Sequence, residues 1–190
     1  FLLLIVIGSF IVTGQVSASS GGRTGRTLKT VTTGCGSCHG GSATPGVLVS
    51  ITGPDTVILN QTTAFTLTIS GGPASGSGCD IASKYGVLSP VSSTLRLSGG
   101  ELTHNANIPM TSGSVSYQFN YVYTGAQAID TLYATGLSTN SNNVTSGDQW
   151  NWAPGKRIVI YTPPTPPSAP VLLSPANGGT GQSVTMPLVW

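Results

Sequence analysis

Large apolar side chains recur at every second position in several separate stretches, a spacing that puts them on one face of an extended strand. Val47, Val49 and Ile51 form the first set, which Gly53-Pro54-Asp55 breaks. Phe65, Leu67 and Ile69 form the second, and 71–78 then reads as a turn region. Val115, Tyr117, Phe119, Tyr121 and Tyr123 give the longest alternation. Shorter strands are expected at 81–88, 94–97, 129–135 and 157–161, and no segment carries a helical period. Seven or eight short strands separated by turn signals predict an all-β chain, an antiparallel β-sandwich of immunoglobulin-like type over 47–161.

The flanks of this block differ from it. Residues 1–12 are almost continuously apolar, and Val16-Ser17-Ala18 places small residues where a signal peptidase reads. This predicts a signal peptide over 1–18 with Ser19 as the mature start, too short for a comfortable membrane span. The first residue is Phe, so the true N-terminus is expected upstream. Residues 19–46 read as a loose Gly/Ser/Thr-rich leader followed by a glycine-rich loop. Pro163-Pro164-Thr165-Pro166-Pro167 makes 162–168 a stiff, extended linker. Beyond it, 169–190 resembles the opening strands of a fibronectin type III repeat, with Trp190 after the first hairpin.

Composition narrows the function. Charged residues make up 6% of the 190-residue chain and the formal net charge is +2, too little to imply a nucleic-acid or anionic-membrane partner. Arg23, Arg26 and Lys29 cluster ahead of the glycine-rich loop, as a soluble basic leader or a docking patch. The five acidic residues fall in five separate segments, and no nucleophile elbow, P-loop or zincin helix is present, which disfavours an enzyme.

The loop carries the chemistry. Cys35-Gly36-Ser37-Cys38-His39 is a C-x-x-C-H run, the spacing that attaches c-type haem. Each thiol adds its S–H across one vinyl group of the porphyrin, and the adjacent imidazole becomes an axial ligand of the iron. The surrounding glycines and Pro45 predict a loop or a single turn rather than a helix. Two other readings stay open: a Cys35–Cys38 or Cys38–Cys79 disulfide, and a zinc site lacking an obvious fourth ligand. With haem on Cys35 and Cys38, Cys79 is left as a small buried hydrophobe.

His104 is the second histidine and the candidate sixth ligand, and bis-histidine ligation suits electron transfer. Met110 is the alternative, a sulfur ligand that would raise the potential. Both have bland counterparts, a turn-bonding histidine and a packing methionine. Tyr117, Tyr121, Tyr123, Trp150 and Trp152 could wall a haem or simply form core. Asp148 and Asn151 could help bind calcium.

Ser37-Cys38-His39-Gly40, Ser70-Gly71-Gly72, Leu97-Ser98-Gly99-Gly100-Glu101-Leu102-Thr103-His104 and Ser146-Gly147-Asp148-Gln149-Trp150-Asn151 together resemble a bacterial extracellular domain family of choice-of-anchor type. The resemblance covers 34–161. Its members carry an S-C-H-G motif, then a sandwich, and often a downstream surface-anchoring region. The sandwich portion is also similar to the Reeler domain, through Thr103-His104 before a long alternating strand. Cys79 departs from the family pattern ahead of Asp80-Ile81, which argues against a family-type disulfide there. The resemblance implies a Reeler-like sandwich on a secreted, extracellular or cell-surface protein, with the periplasm as another compartment.

Two functions follow. One is a monohaem c-type cytochrome module for extracellular electron transfer. Cys35 and Cys38 would hold haem c, His39 and His104 would ligate its iron, and a redox partner protein or a second copy would exchange electrons. The alternative is a non-redox structural or adhesive surface module without cofactor.

Overall fold

The computed structural model describes residues 20–169 together with 171, 179–181 and 185. The signal peptide expected over 1–18 lies outside the described residues, and so does most of the fibronectin-like segment over 169–190. Twelve strands follow one another: β1 (Val47–Thr52), β2 (Thr56–Ile58), β3 (Thr63–Gly71), β4 (Gly76–Ser83), β5 (Val87–Pro90), β6 (Leu95–Ser98), β7 (Glu101–His104), β8 (Ile108–Pro109), β9 (Ser114–Val122), β10 (Ile129–Thr139), β11 (Gln149–Trp152) and β12 (Lys156–Tyr161). A single 3-10 turn at Gly34–Ser37 precedes them. Among the described residues no helix is long and apolar enough to cross a membrane.

The strands form two sheets. One has the order β1-β3-β9-β5; the other runs β2-β12-β10-β4-β7-β6, with β11 on β10 and β8 on β4. All pairs are antiparallel except β2 with β12. The alternating residues behave as their spacing predicts. Val47, Val49 and Ile51, then Phe65, Leu67 and Ile69, then Tyr117, Phe119, Tyr121 and Tyr123 are buried, and they meet Ile81, Leu102, Leu132 and Ile158 of the facing sheet. The chain is an all-β sandwich closed by one core.

Two sequence expectations need correction. The stretch 81–88 is not one strand: β4 ends at Ser83, and a turn separates it from β5. Asp130 holds that turn, accepting hydrogen bonds from Tyr85 N–H (3.1 Å) and Gly86 N–H (2.8 Å). Part of the expected turn region at 71–78 is instead the start of β4, a strand buried at every position.

Nor is the leader loose. Arg26 N–H donates to Asp80 Oδ2 (2.7 Å), and Arg26 C=O accepts from Thr135 Oγ1 (2.7 Å). Asp80 and Thr135 are cross-strand partners on β4 and β10, so one residue of the leader is clamped on both its N–H and its C=O by one residue pair of the sheet. Gly25 N–H donates to Glu101 Oε2 (2.6 Å), and Arg96 Nε donates to Gly21 C=O (2.8 Å). The leader is a strap across β4, β7 and β6, and it helps explain why β4 shows no alternation of burial.

This strap rests on two adjacent carboxyl groups. Asp80 is buried, its Oδ1 finds no conventional donor, and Glu101 lies at hydrogen-bonding reach beside it. A protonated Asp80 would place a hydrogen on the Oδ1 that otherwise lacks a partner. Burial, opposed by the Arg26 amide and reinforced by Glu101, pushes the Asp80 carboxyl up to about 7. The folded state therefore binds a proton between pH 4 and 7 that the unfolded chain has released. That contribution to stability is complete below about pH 4 and is lost as pH rises through about 7. Asp80→Asn keeps an acceptor for Arg26 and a donor for Glu101 at all pH values. Unfolding free energies measured across pH 4–8 should fall by a few kcal/mol more in the wild type than in Asp80→Asn; parallel curves would contradict the raised Asp80 carboxyl.

Candidate functional site

The C-x-x-C-H run forms the predicted single turn. Cys38 N–H and His39 N–H both donate to Cys35 C=O (3.1 and 2.9 Å). The turn lies on the indole of Trp150, a β11 residue with 1% exposure. Gly34 has φ +51°, and a Cβ there would stand 2.2 Å from the indole, so only glycine allows this approach. Trp150 Nε1–H donates to Gly40 C=O (2.9 Å), tying down the far side of the turn, and Trp152 packs edge-on at 4.7 Å. Arg26 adds a bond from Nη1 to Ser37 Oγ (3.0 Å).

A cavity of about 310 Å3 opens beside this turn. Cys35, Cys38 and His39 line it from the turn, His104 from β7, and Arg23 and Arg26 from the strap. The loop after β10, over 141–144, makes another wall. His39 and His104, far apart in the chain, thus meet at one cavity with both thiols of the motif.

Each imidazole is held through Nδ1. His39 Nδ1 lies 2.8 Å from Asp148 Oδ2 in a half-buried contact. His104 fills a gap in the sheet. β4 pairs with β7 through Asp80 and Ile81 and with β8 through Gly76 and Ser77. Between those two stretches, the N–H and C=O of Cys79 meet His104 Nδ1 at 2.9 and 3.1 Å. The ring lies flat on Gly78, where an added Cβ would come within 2.6 Å of it.

All three cysteines are free thiols. Cys35 is half-buried, and desolvation, reinforced by the nearby Asp80 carboxyl, pushes its thiol up to about 12. Cys79 is buried as expected, and desolvation raises it well above the usual thiol range. Among the described residues, no three or more His, Cys, Asp or Glu side chains gather in a group able to hold a metal ion.

The other sequence candidates separate. Met110 does not line the cavity; it packs against the core, and its sulfur accepts from Ser138 Oγ at 3.6 Å. Tyr117, Tyr121 and Tyr123 are core residues, with Tyr117 OH bonded to Ser77 Oγ (2.7 Å) and Tyr121 OH to Asp130 Oδ2 (2.8 Å). The two calcium candidates both have protein partners. Asp148 is spent on His39 and on Asn140 N–H, while Asn151 Nδ2 donates to Val47 C=O. Sequence reasoning missed the roles of Asp148 and Trp150 at this site. The glycines around the motif were the one signal for Trp150, since a chain lying flat on a large ring needs residues without side chains.

No family model matches the chain, and no curated protein matches it. Among solved structures, it is similar to the CARDB domain of a Pyrococcus furiosus protein, crystallised in complex with di-metal ions. The two share 18% identity at a TM-score of 0.36, covering 60% of this chain and 91% of that one. The solution structure of the same domain gives 17% identity and a TM-score of 0.37, covering 63% of this chain and 97% of that one.

Proposed function

We propose that the chain is a secreted or cell-surface monohaem c-type cytochrome module that passes single electrons outside the cell. The observation that carries this reading is the meeting of Cys35, Cys38, His39 and His104 at one cavity. The donor set fits the group: two thiols at the attachment spacing, and two imidazoles whose Nδ1 atoms are already engaged by protein. A cavity of about 310 Å3 is at the small end of ligand pockets, which span about 300–1,000 Å3. It would therefore leave a porphyrin edge in solvent, which suits exchange with a redox partner or a second copy. Arg23 and Arg26 supply guanidinium groups for the carboxylates of such an edge. Bound haem would supply a one-electron iron couple. The resemblance to the S-C-H-G surface-domain family supports the extracellular setting.

One observation favours the second reading, a surface module without cofactor. The hydrophobic core closes without any residue of the C-x-x-C-H turn, and His104 has a structural task in bridging β4. The readings separate in one experiment. The protein is coexpressed with haem-ligation machinery, and its visible spectrum and pyridine haemochrome are recorded. Covalent haem that is absent from Cys38→Ala, with axial ligation altered in His104→Ala, is the expected result. A colourless, folded wild type would overturn the cytochrome reading in favour of the surface module.

A further inference from the structure

The Asp148 carboxylate is committed on both oxygens. Oδ2 stands 2.8 Å from His39 Nδ1, and Oδ1 accepts from Asn140 N–H at 3.0 Å. Side-chain exposures of 13% for His39 and 3% for Asp148 keep water from competing for this contact. An ionised carboxylate only accepts, so the ring must present N–H at Nδ1. The neutral imidazole then carries its lone pair on Nε2, the arrangement a metal-binding histidine needs. The contact joins a loop residue to one 109 positions away, just ahead of β11. It is therefore a feature of the folded chain and not of the motif.

We propose that Asp148 is the positioning residue of this site: it fixes the tautomer and orientation of His39 and lends the ring part of its negative charge. The inference rests on the reading of His39 as an iron ligand. An imidazole hydrogen-bonded to a carboxylate is a stronger electron donor than one bonded to a neutral carbonyl. It stabilises the more positive iron state, so the Asp148 charge would hold the couple at low potential. A merely structural Asp148 would have no such effect.

Two readouts test this on the full chain. In the haem-free protein, nitrogen-15 ring shifts of His39 should report Nδ1–H almost entirely. Asp148→Ala, which removes the acceptor, should give a mixture of tautomers. In the haem-loaded protein, Asp148→Asn keeps the size and an acceptor oxygen but removes the charge. It should lower the ferric-to-ferrous ratio at fixed applied potential about tenfold, equivalent to about 59 mV for a one-electron couple. An unchanged tautomer in Asp148→Ala, or an unchanged potential in Asp148→Asn, would overturn the proposal. A wild type without haem defeats the cytochrome reading instead, and the ring spectra alone then decide whether Asp148 positions His39.

Discussion

Replacing Asp130 with alanine should cost about 3–5 kcal/mol, among the largest stability losses available to a single substitution in this chain. The side chain is 1% exposed and gathers five donors. Ser83 Oγ (2.7 Å), Gly86 N–H (2.8 Å) and Tyr121 OH (2.8 Å) donate to Oδ2. Tyr85 N–H (3.1 Å) and the adjacent Thr131 N–H (2.6 Å) donate to Oδ1. These donors come from the turn between β4 and β5, from β9 and from β10, so the carboxylate joins the two sheets as well as shaping the turn. Truncation leaves several of them buried without an acceptor, at about 1–3 kcal/mol each before relaxation. In urea, the unfolding midpoint should drop while the slope stays constant. Tyr121→Phe, which deletes one donor, should cost only about 1–2 kcal/mol. A loss below about 1 kcal/mol in Asp130→Ala would show that the network is dispensable.

Trp150→Ala should cost about 3–5 kcal/mol, as expected for truncating a fully buried tryptophan. It should also free the C-x-x-C-H turn, because the indole is both the surface under Gly34 and the donor to Gly40. The two consequences can be measured separately. Alkylation of Cys35, slow in the wild type because its thiol is half-buried and resists ionisation, should speed up by at least tenfold under native conditions. Cys79, enclosed by the sandwich, should stay protected and so exclude global unfolding. Trp150→Phe should keep most of the packing, lose the bond to Gly40 and fall between. Equal Cys35 reactivity in all three proteins would show that the turn is held by other contacts.

The sheet β1-β3-β9-β5 was largely legible from sequence because it has one dry and one wet face. Val49, Leu67 and Phe119 alternate with polar neighbours for that reason. β4 was not legible: its outer face is dry too, and what dries it is a strap some 54 residues earlier in the chain. Gly76 and Gly78 then read as turn residues, although the smallness of Gly78 makes room for the His104 imidazole and that of Gly76 for the Asn107 side chain. At the site, the residues bearing chemistry could be named from the motif and from the scarcity of histidine. Their supports could not. Asp148 resembles any loop aspartate until folding sets it against His39, and Trp150 resembles any core aromatic until the turn lies on it.

The tethers of the N-terminal strap and turn span 54, 76, 109 and 110 residues. Closing loops of that length costs entropy that only a nearly finished sandwich can offset. The expected order is late docking, of the strap onto β4 and β7 and of the cysteine turn onto β11 and the loop bearing Asp148. Until it docks, both of its thiols stand in water on a flexible chain, open to any enzyme that modifies them. Once it docks, Cys35 is sheltered. Any covalent modification of Cys35 would therefore be easiest before the turn has docked and hardest afterwards.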